Sequence, residues 1–209
     1  MTIVIFTEKY YLMGSLDIPI PLLLIIIANA IVSYKGFNDR LFFHKYEFHV
    51  GSVRAGQQYR MFTSAFLHAD PIHLIFNMLT LYFFAPVVIY QLGILPFLLI
   101  YFGSLIAGSL LTLYFHKDEY YYRAIGASGA VVGVLYSAIL LNPDMKLRLF
   151  FALPMPAYVF GIGYLLYSIY GMRAKSDNIG HTAHFGGAIA GYLITLAQAP
   201  YMLQTNTLM

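Results

Sequence analysis

Long stretches that contain no Asp, Glu, Lys or Arg divide this chain into segments of membrane length. Five such stretches occur, at residues 18–34, 71–116, 124–143, 149–172 and 178–209. A membrane-spanning helix needs about 20 mostly apolar residues, so the stretch 71–116 is long enough for two. The pattern therefore predicts an all-α membrane protein with six transmembrane helices, at about 18–36, 72–90, 96–116, 128–141, 147–170 and 182–200.

The six predicted helices form one domain, residues 18–200, between an N-terminal segment (1–17) and a C-terminal tail (201–209). The longest connection, residues 37–72, mixes charged side chains with phenylalanines and tyrosines. This mixture is typical of membrane interfaces, so we expect a partly membrane-embedded first loop.

Composition agrees with a membrane protein and excludes several soluble classes. Hydrophobic residues make up 60% of the chain and charged residues 10%, against about 25% charged in soluble domains. The mean hydropathy is +0.70. The absence of cysteine excludes a thiolate nucleophile and a disulfide framework. A net charge of +3 without a Lys/Arg cluster argues against a nucleic-acid partner.

The fourth predicted helix, residues 128–141, is short for a bilayer. At 1.5 Å per residue it is about 20 Å long, against a hydrocarbon core about 30 Å thick. If its C-terminal end reaches one interface, its N-terminal end lies roughly 10 Å below the other. Irregular backbone at that depth is tolerated only where protein buries it or water reaches it. We therefore predict a short central helix that begins at a water-filled cavity.

Four polar side chains are predicted to meet at that depth. The second, fourth and sixth helices are separated by pairs of crossings, so their N-terminal ends lie on the same side of the membrane. These ends carry His73, Asn77, Ser128 and His184. Polar groups inside a membrane are costly, so their convergence favours a functional site over the alternative that each only links neighbouring helices.

The available groups favour nucleophilic catalysis. Ser128 is the candidate nucleophile, and His184 is the candidate general base. His73 and Asn77 are four residues apart on one helix face, so together with the Ser128 N–H they are candidate donors to an oxyanion. No predicted helix contains Asp or Glu. A Ser-His-Asp triad and an aspartyl protease are therefore excluded, and a Ser-His dyad remains.

Small residues are arranged for close helix packing near these groups. On the fourth and sixth helices they recur at four-residue spacing, which allows two backbones to approach, although such stripes also occur in ordinary packing. A further glycine precedes the nucleophile and permits a tight turn. The candidate supporting residues are Gly126, Gly129, Gly133, Gly187 and Gly191.

Three motifs resemble the rhomboid family of intramembrane serine proteases. They are His73-Leu-Ile-Phe-Asn77, Gly126-Ala-Ser128-Gly129 and Ala183-His184-Phe-Gly-Gly187-Ala-Ile-Ala-Gly191. Tyr59-Arg60 in the first loop resembles the family's aromatic-arginine motif, with Tyr where Trp is usual. The resemblance covers about residues 55–195 and implies a rhomboid-like six-helix bundle. It also implies Ser128 as nucleophile, His184 as base, and His73, Asn77 and the Ser128 N–H as the oxyanion site.

One position departs from the family pattern. Many bacterial members carry a tyrosine four residues after the nucleophile, under the catalytic imidazole, whereas this chain has Val132. We expect His184 to be held differently, for example by another aromatic side chain.

The resemblance implies an enzyme that cuts single-span membrane protein substrates within the lipid bilayer. Entry is expected sideways from lipid, past the fifth predicted helix, in which Pro154 and Pro156 favour movement as a gate. The alternative is a non-catalytic relative or a small transporter that binds in the same cavity, but the intact dyad and the lack of repeats favour the enzyme. No cofactor is predicted. No metal is predicted either, because a His-Glu-x-x-His motif and intramembrane carboxylates are both missing.

Charge and resemblance predict opposite orientations in the membrane. Nine of the 12 Lys and Arg residues lie on loops of the active-site side, which by the positive-inside rule would place the mouth of the site in the cytoplasm. The resemblance implies the reverse, with both termini cytoplasmic. We expect a multi-pass protein of the bacterial inner membrane, with the active site open to the extracytoplasmic side.

Overall fold

The computed structural model describes residues 4–6, 18–149, 153–174 and 179–199. The helices are α1 (Ile20–Asn38), α2 (Arg40–Tyr46), α3 (Val50–Arg54), α4 (Arg60–Thr63), α5 (Pro71–Leu92), α6 (Ile94–Phe115), α7 (Ser128–Leu141), α8 (Ala157–Ala174) and α9 (His181–Gln198). A short 3-10 helix, Ser64–Phe66, follows α4. The strands are β1 (Val4–Phe6), β2 (Phe48–His49), β3 (Arg123–Ala124), β4 (Lys146–Leu149) and β5 (Leu153–Pro156).

The chain is mostly helical, as predicted, and six of its helices correspond to the six predicted spans. They are α1, α5, α6, α7, α8 and α9, and α7 has the predicted bounds. Within the described ranges, α1, α5 and α6 are long and apolar enough to cross a membrane, and α7 is a shorter apolar helix. The count of six spans stays a prediction. Of the predicted N-terminal segment only residues 4–6 are described, and the tail 201–209 lies outside the described residues.

Local sequence signals explain where the central helices begin and end. The Asp70 side chain accepts a hydrogen bond of 2.8 Å from the His73 N–H, and Pro71 occupies the first turn of α5. Both features are typical of helix N-termini. Gly93, with φ of 96°, separates α5 from α6 in a conformation that favours glycine. α7 ends just before Asn142-Pro143, because the residue before a proline disfavours helical geometry.

The prediction of a continuous fifth helix over residues 147–170 is wrong at its start. Residues 146–156 include two antiparallel strands, β4 and β5, and α8 begins only at Ala157. Pro154 and Pro156 lie in β5, at the edge of a three-stranded sheet of order β1-β4-β5. Proline cannot donate to a ladder and breaks helix interiors, so an edge strand accommodates both residues. The expectation of a gate helix kinked by these prolines is therefore wrong.

The first loop is not irregular, and the fold is not purely helical. Residues 37–72 contain α2, α3, α4 and the 3-10 helix, together with strand β2. β2 pairs antiparallel with β3, with Phe48 opposite Ala124 and His49 opposite Arg123. This pairing joins the first loop to the segment that leads into α7. Because each strand has two residues, hydropathy patterns do not reveal them.

α7 occupies the centre of the bundle. It packs against α5, α6, α8 and α9, and 12 of its residues are buried. A helix that is apolar on all sides is expected in such a position. The start of α7 is therefore surrounded by the elements that carry the other candidate site residues.

Glycines bring the backbones of α7 and α9 into direct contact. A β-carbon at Gly187 would collide with the carbonyl oxygen of Gly129, and one at Gly191 would collide with that of Gly133. The contacting pairs advance in the same direction along both helices, so α7 and α9 run parallel. The first turns of the two helices therefore lie at the same level.

We predict that Gly187→Ala destabilises the protein by about 1–3 kcal/mol, because the added methyl group meets backbone that cannot rotate away. Gly163 is the matched control, since a β-carbon at this α8 position meets no atom within 4 Å. Gly163→Ala should leave stability unchanged or raise it slightly through helix propensity. Equilibrium unfolding in detergent measures both variants. Equal loss of stability in the two variants would contradict the packing described here.

Candidate active site

The turn before α7 brings three of the predicted site residues together, Gly126, His73 and Ser128. Gly126 has φ of 113°, a value that favours glycine, and its N–H donates to the Ser64 carbonyl at 3.0 Å. The His73 ring lies directly over this glycine, because a β-carbon there would be 2.8 Å from its Cε1 atom and 3.0 Å from Nε2. The same position is 3.8 Å from Ser128 Oγ. The glycine therefore makes room for the imidazole beside the candidate nucleophile.

Ser128 is the first residue of α7 and is half-buried. The first N–H groups of a helix have no acceptor within the helix, so this end favours negative charge. A small pocket of about 40 Å³ opens here. It is lined by residues of the first loop, α6, α7 and the start of α9, among them Phe48, Leu105, Gly126, Ser128 and Ala183. The predicted cavity at the start of the short helix is present.

His184 lies in the first turn of α9 and is 8% exposed. The preceding carbonyl, that of Ala183, lies 3.2 Å from the position that a β-carbon on Gly129 would occupy. This contact sets the first turn of α9 against the first turn of α7. Ser128 and His184 thus occupy adjoining turns of two parallel helices.

Tyr164 of α8 supports the His184 imidazole. Its hydroxyl is 2.9 Å from Nδ1 of His184, and the two rings are stacked at 28° with centroids 6.1 Å apart. Val132, at the position where many family members carry tyrosine, is buried at 6% exposure. The sequence predicts another aromatic side chain beside His184 but does not identify Tyr164, because α8 contains several tyrosines and no spacing rule relates them to α9.

His73 and Asn77 share the first turns of α5, as their spacing predicts. His73 Nδ1 accepts a hydrogen bond of 3.4 Å from the Ala69 N–H. A neutral imidazole that accepts at Nδ1 carries its proton on Nε2. That N–H is the edge that lies over Gly126. The Asn77 amide donates to the His73 carbonyl at 3.1 Å within the same helix, and its nitrogen carries a second hydrogen.

Arg60 organises the first loop at a distance from the nucleophile. Its guanidinium donates to the carbonyl oxygens of His44 and Glu47, at 2.7 and 2.9 Å, and to the Gln57 side chain at 2.7 Å. Arg60 is 8% exposed, whereas the neighbouring Tyr59 is 45% exposed. The Glu47 side chain pairs with Arg123 of β3. The Tyr59-Arg60 motif therefore holds the loop together, and it does not line the cavity.

Metal ligands were not predicted for this site. Within the described part of the chain, no group of three or more His, Asp or Glu side chains is placed to hold a metal ion.

A family model of the rhomboid domain matches residues 55–201. The chain belongs to the rhomboid family. It is 30% identical over 196 residues to RHOMBOID-like protein 12, mitochondrial, of Arabidopsis thaliana. The matched region covers 86% of this chain and 58% of that relative. It is 35% identical over 134 residues to Rhomboid protein 1, mitochondrial, of Saccharomyces cerevisiae, covering 62% of this chain and 39% of that protein.

A bacterial relative carries the name of an enzyme. Rhomboid protease GluP of Bacillus subtilis is 30% identical over 148 residues, which is 69% of this chain and 27% of GluP. The family thus includes intramembrane serine proteases. This chain spans 58% or less of the length of each of these three relatives.

Family membership and the apolar helices identify this chain as an integral membrane protein. The predicted location in a bacterial inner membrane is not supported, because two of the three relatives are mitochondrial by name. The orientation in the membrane stays a prediction.

We predict that Arg60→Lys loosens the first loop by about 1.5–3 kcal/mol, because an ammonium cannot reproduce three guanidinium hydrogen bonds in that geometry. Hydrogen exchange of residues 40–60 should accelerate. Arg54→Lys is the control, since Arg54 is exposed and donates one hydrogen bond, to the Lys117 carbonyl. If both variants exchange like the wild type, Arg60 does not hold the loop.

Proposed function

We propose that this rhomboid is an intramembrane serine endopeptidase that uses Ser128 and His184 as a catalytic dyad. The observation that carries the proposal is the placement of Ser128 at the start of α7, beside the first turn of α9 and beside the glycine that the His73 imidazole covers. Ser128 also lines the pocket at the start of α7, which gives the proposed nucleophile an open side. Family membership supports the same reaction class.

In the proposed first step, Ser128 Oγ attacks the carbonyl carbon of the scissile peptide bond and transfers its proton to Nε2 of His184. For Nε2 to accept, the imidazole proton must sit on Nδ1, where it donates to the Tyr164 oxygen. Tyr164 thereby selects the tautomer that acts as a base, a task that carboxylates perform in other serine proteases.

The tetrahedral intermediate then collapses and the peptide C–N bond breaks. His184 returns the proton to the leaving amine, and an acyl group remains on Ser128. Water adds to the acyl carbonyl with His184 again as base, which releases the carboxylic acid and restores the serine. Each half of the reaction passes one proton through the same imidazole.

The oxyanion is proposed to be stabilised by the Ser128 N–H, by Nε2–H of His73 and by the free hydrogen of the Asn77 amide. Each such donor contributes about 3–4 kcal/mol in mutant series of serine proteases. The orientation of His73, set by the Ala69 N–H, supports its part in this group.

The proposed substrates are single-span membrane proteins that enter the site from the lipid bilayer. In an intact helix every scissile carbonyl is hydrogen-bonded, so the substrate must unwind near the cut. A nucleophile at the start of a short helix, within a bundle of six spans, meets such a segment near the end of its span. The proposal places the mouth of the site on the extracytoplasmic side.

We predict that Ser128→Ala and His184→Ala each abolish cleavage of a single-span substrate in liposomes while helical content is retained. Labelling of the wild type by a fluorophosphonate should depend on Ser128. Asn77→Ala should lower kcat by one or two orders of magnitude, since two donors remain. Chelators should have no effect.

Full activity in either dyad variant would refute the assignment. A non-catalytic rhomboid would show neither cleavage nor Ser128-dependent labelling in the wild type. An unfolded soluble protein serves as the control substrate, and equally fast cleavage of it would contradict the membrane substrate class.

We further predict that Tyr164→Phe lowers kcat about tenfold and changes KM little, because the ring remains while the acceptor for Nδ1–H is lost. Tyr170→Phe is the matched control, since Tyr170 lies on the same helix and is 67% exposed. Wild-type kcat in Tyr164→Phe would show that the tautomer of His184 is set elsewhere.

A further inference from the structure

A third histidine, which takes no part in the proposed chemistry, is fully buried next to the site. His68 lies between the 3-10 helix and α5 and has no exposed surface. Its ring meets the His73 ring edge-on, with centroids 4.9 Å apart. Histidines are rarely buried without hydrogen-bond partners, so the bonds that His68 makes are informative.

Each ring nitrogen of His68 takes part in one hydrogen bond. Nδ1 is 2.8 Å from the Ser33 hydroxyl of α1, and Nε2 accepts a long hydrogen bond of 3.5 Å from the Ala127 N–H. The Ser33 hydroxyl also donates to the Phe66 carbonyl at 2.9 Å.

These contacts determine which atom donates and which accepts in each hydrogen bond. A backbone N–H can only donate, so Nε2 of His68 is unprotonated and Nδ1 carries the hydrogen. Nδ1–H therefore donates to the Ser33 oxygen, whose own hydrogen goes to Phe66. The result is a chain of hydrogen bonds from α1 to the residue immediately before the nucleophile.

The ring stays neutral, which the chain of hydrogen bonds requires. Burial, and to a lesser extent the nearby His73, lower the pKa of His68 to about 3 against the opposing effect of Asp70. A protonated ring would direct an N–H at the Ala127 N–H. Near neutral pH, the acceptor at Nε2 is therefore always available.

The position of Ala127 gives this hydrogen bond a functional consequence. Ala127 separates the Gly126 turn from Ser128, and its N–H is not used within α7. The same short segment, residues 68–70, also supplies the N–H that orients His73 and the carboxylate that caps α5. Residues 68–70 therefore contact both His73 and the backbone next to Ser128, on either side of the proposed oxyanion site.

We propose that His68, held by Ser33, is a positioning residue that fixes the Ala127-Ser128 backbone so that the Ser128 N–H points at the oxyanion. The inference rests on the proposed function, and it assigns His68 no contact with substrate. Preorganised donors lose much of their effect when they are displaced by as little as 1 Å.

Two substitutions separate the two bonds of the ring. The amide of His68→Gln reaches the position of Nε2 and can accept from Ala127, whereas that of His68→Asn reaches only the position of Nδ1 and can bond Ser33. In liposomes with a single-span substrate, we expect Asn to lower kcat roughly 10- to 100-fold with KM within about twofold. Gln should retain at least about a third of wild-type kcat, because it preserves the acceptor.

Ser33→Ala provides a milder variant in case the histidine substitutions fold poorly. Without its hydroxyl, Nδ1–H has no acceptor, so we expect kcat to fall about tenfold. Ser168→Ala is the matched control, because Ser168 is a serine of α8 with 1% exposure. The control should keep wild-type kcat.

Hydrogen exchange at the Ala127 amide tests the same bond without any activity. Exchange should be faster in His68→Asn than in His68→Gln or the wild type. Equal exchange together with equal kcat in Gln and Asn would overturn the positioning role, whether or not the protein is a protease. Absence of cleavage and of Ser128-dependent labelling in the wild type would instead overturn the proposed function. In that case the His68 contacts would have no role in catalysis.

Discussion

The architecture depends on the close approach of two helix backbones. α7 and α9 touch through glycines, with Gly187 against the Gly129 carbonyl and Gly191 against the Gly133 carbonyl. Lipid tails are as apolar as the side chains they would replace, so helices in a membrane associate through this kind of tight contact. Because the two helices run parallel, the contact also sets their first turns side by side. Ser128 and His184 therefore lie on first turns that are side by side, although the two helices are far apart in sequence.

The backbone just before α7 is irregular, although a membrane favours regular structure in which every backbone group is hydrogen-bonded. In this fold, the backbone N–H groups that have no acceptor within a helix each donate to a specific partner. The Gly126 N–H donates to the Ser64 carbonyl and the Ala127 N–H donates to His68, while before α5 the Ala69 N–H donates to His73. Unsatisfied backbone groups cost several kcal/mol away from water. The same bonds that stabilise this turn orient the imidazoles around it.

Much of the helical framework could be predicted from local signals. The bounds of α7 follow from the Gly-Ala turn before Ser128 and from Asn142-Pro143, and α5 follows from Asp70-Pro71 and Gly93. The error at the start of α8 has a local cause too, because a short apolar run is compatible with strand or helix until its partner strand is known. β5 pairs with β4, and β4 in turn pairs with β1, a strand from the other end of the chain.

The sequence by itself determined the membrane as solvent, the helical class, the family and the identity of the dyad candidates. Each of these depends on residue types or on spacing within one segment, which the chain carries regardless of its fold. Only the tertiary structure decided that Tyr164 supports His184, that His68 bonds Ala127, and that Arg60 binds the first loop and not the cavity. These are contacts between side chains and groups that are distant in sequence or on different elements. Their geometry depends on how the helices are placed by packing, and no periodicity along the chain encodes it.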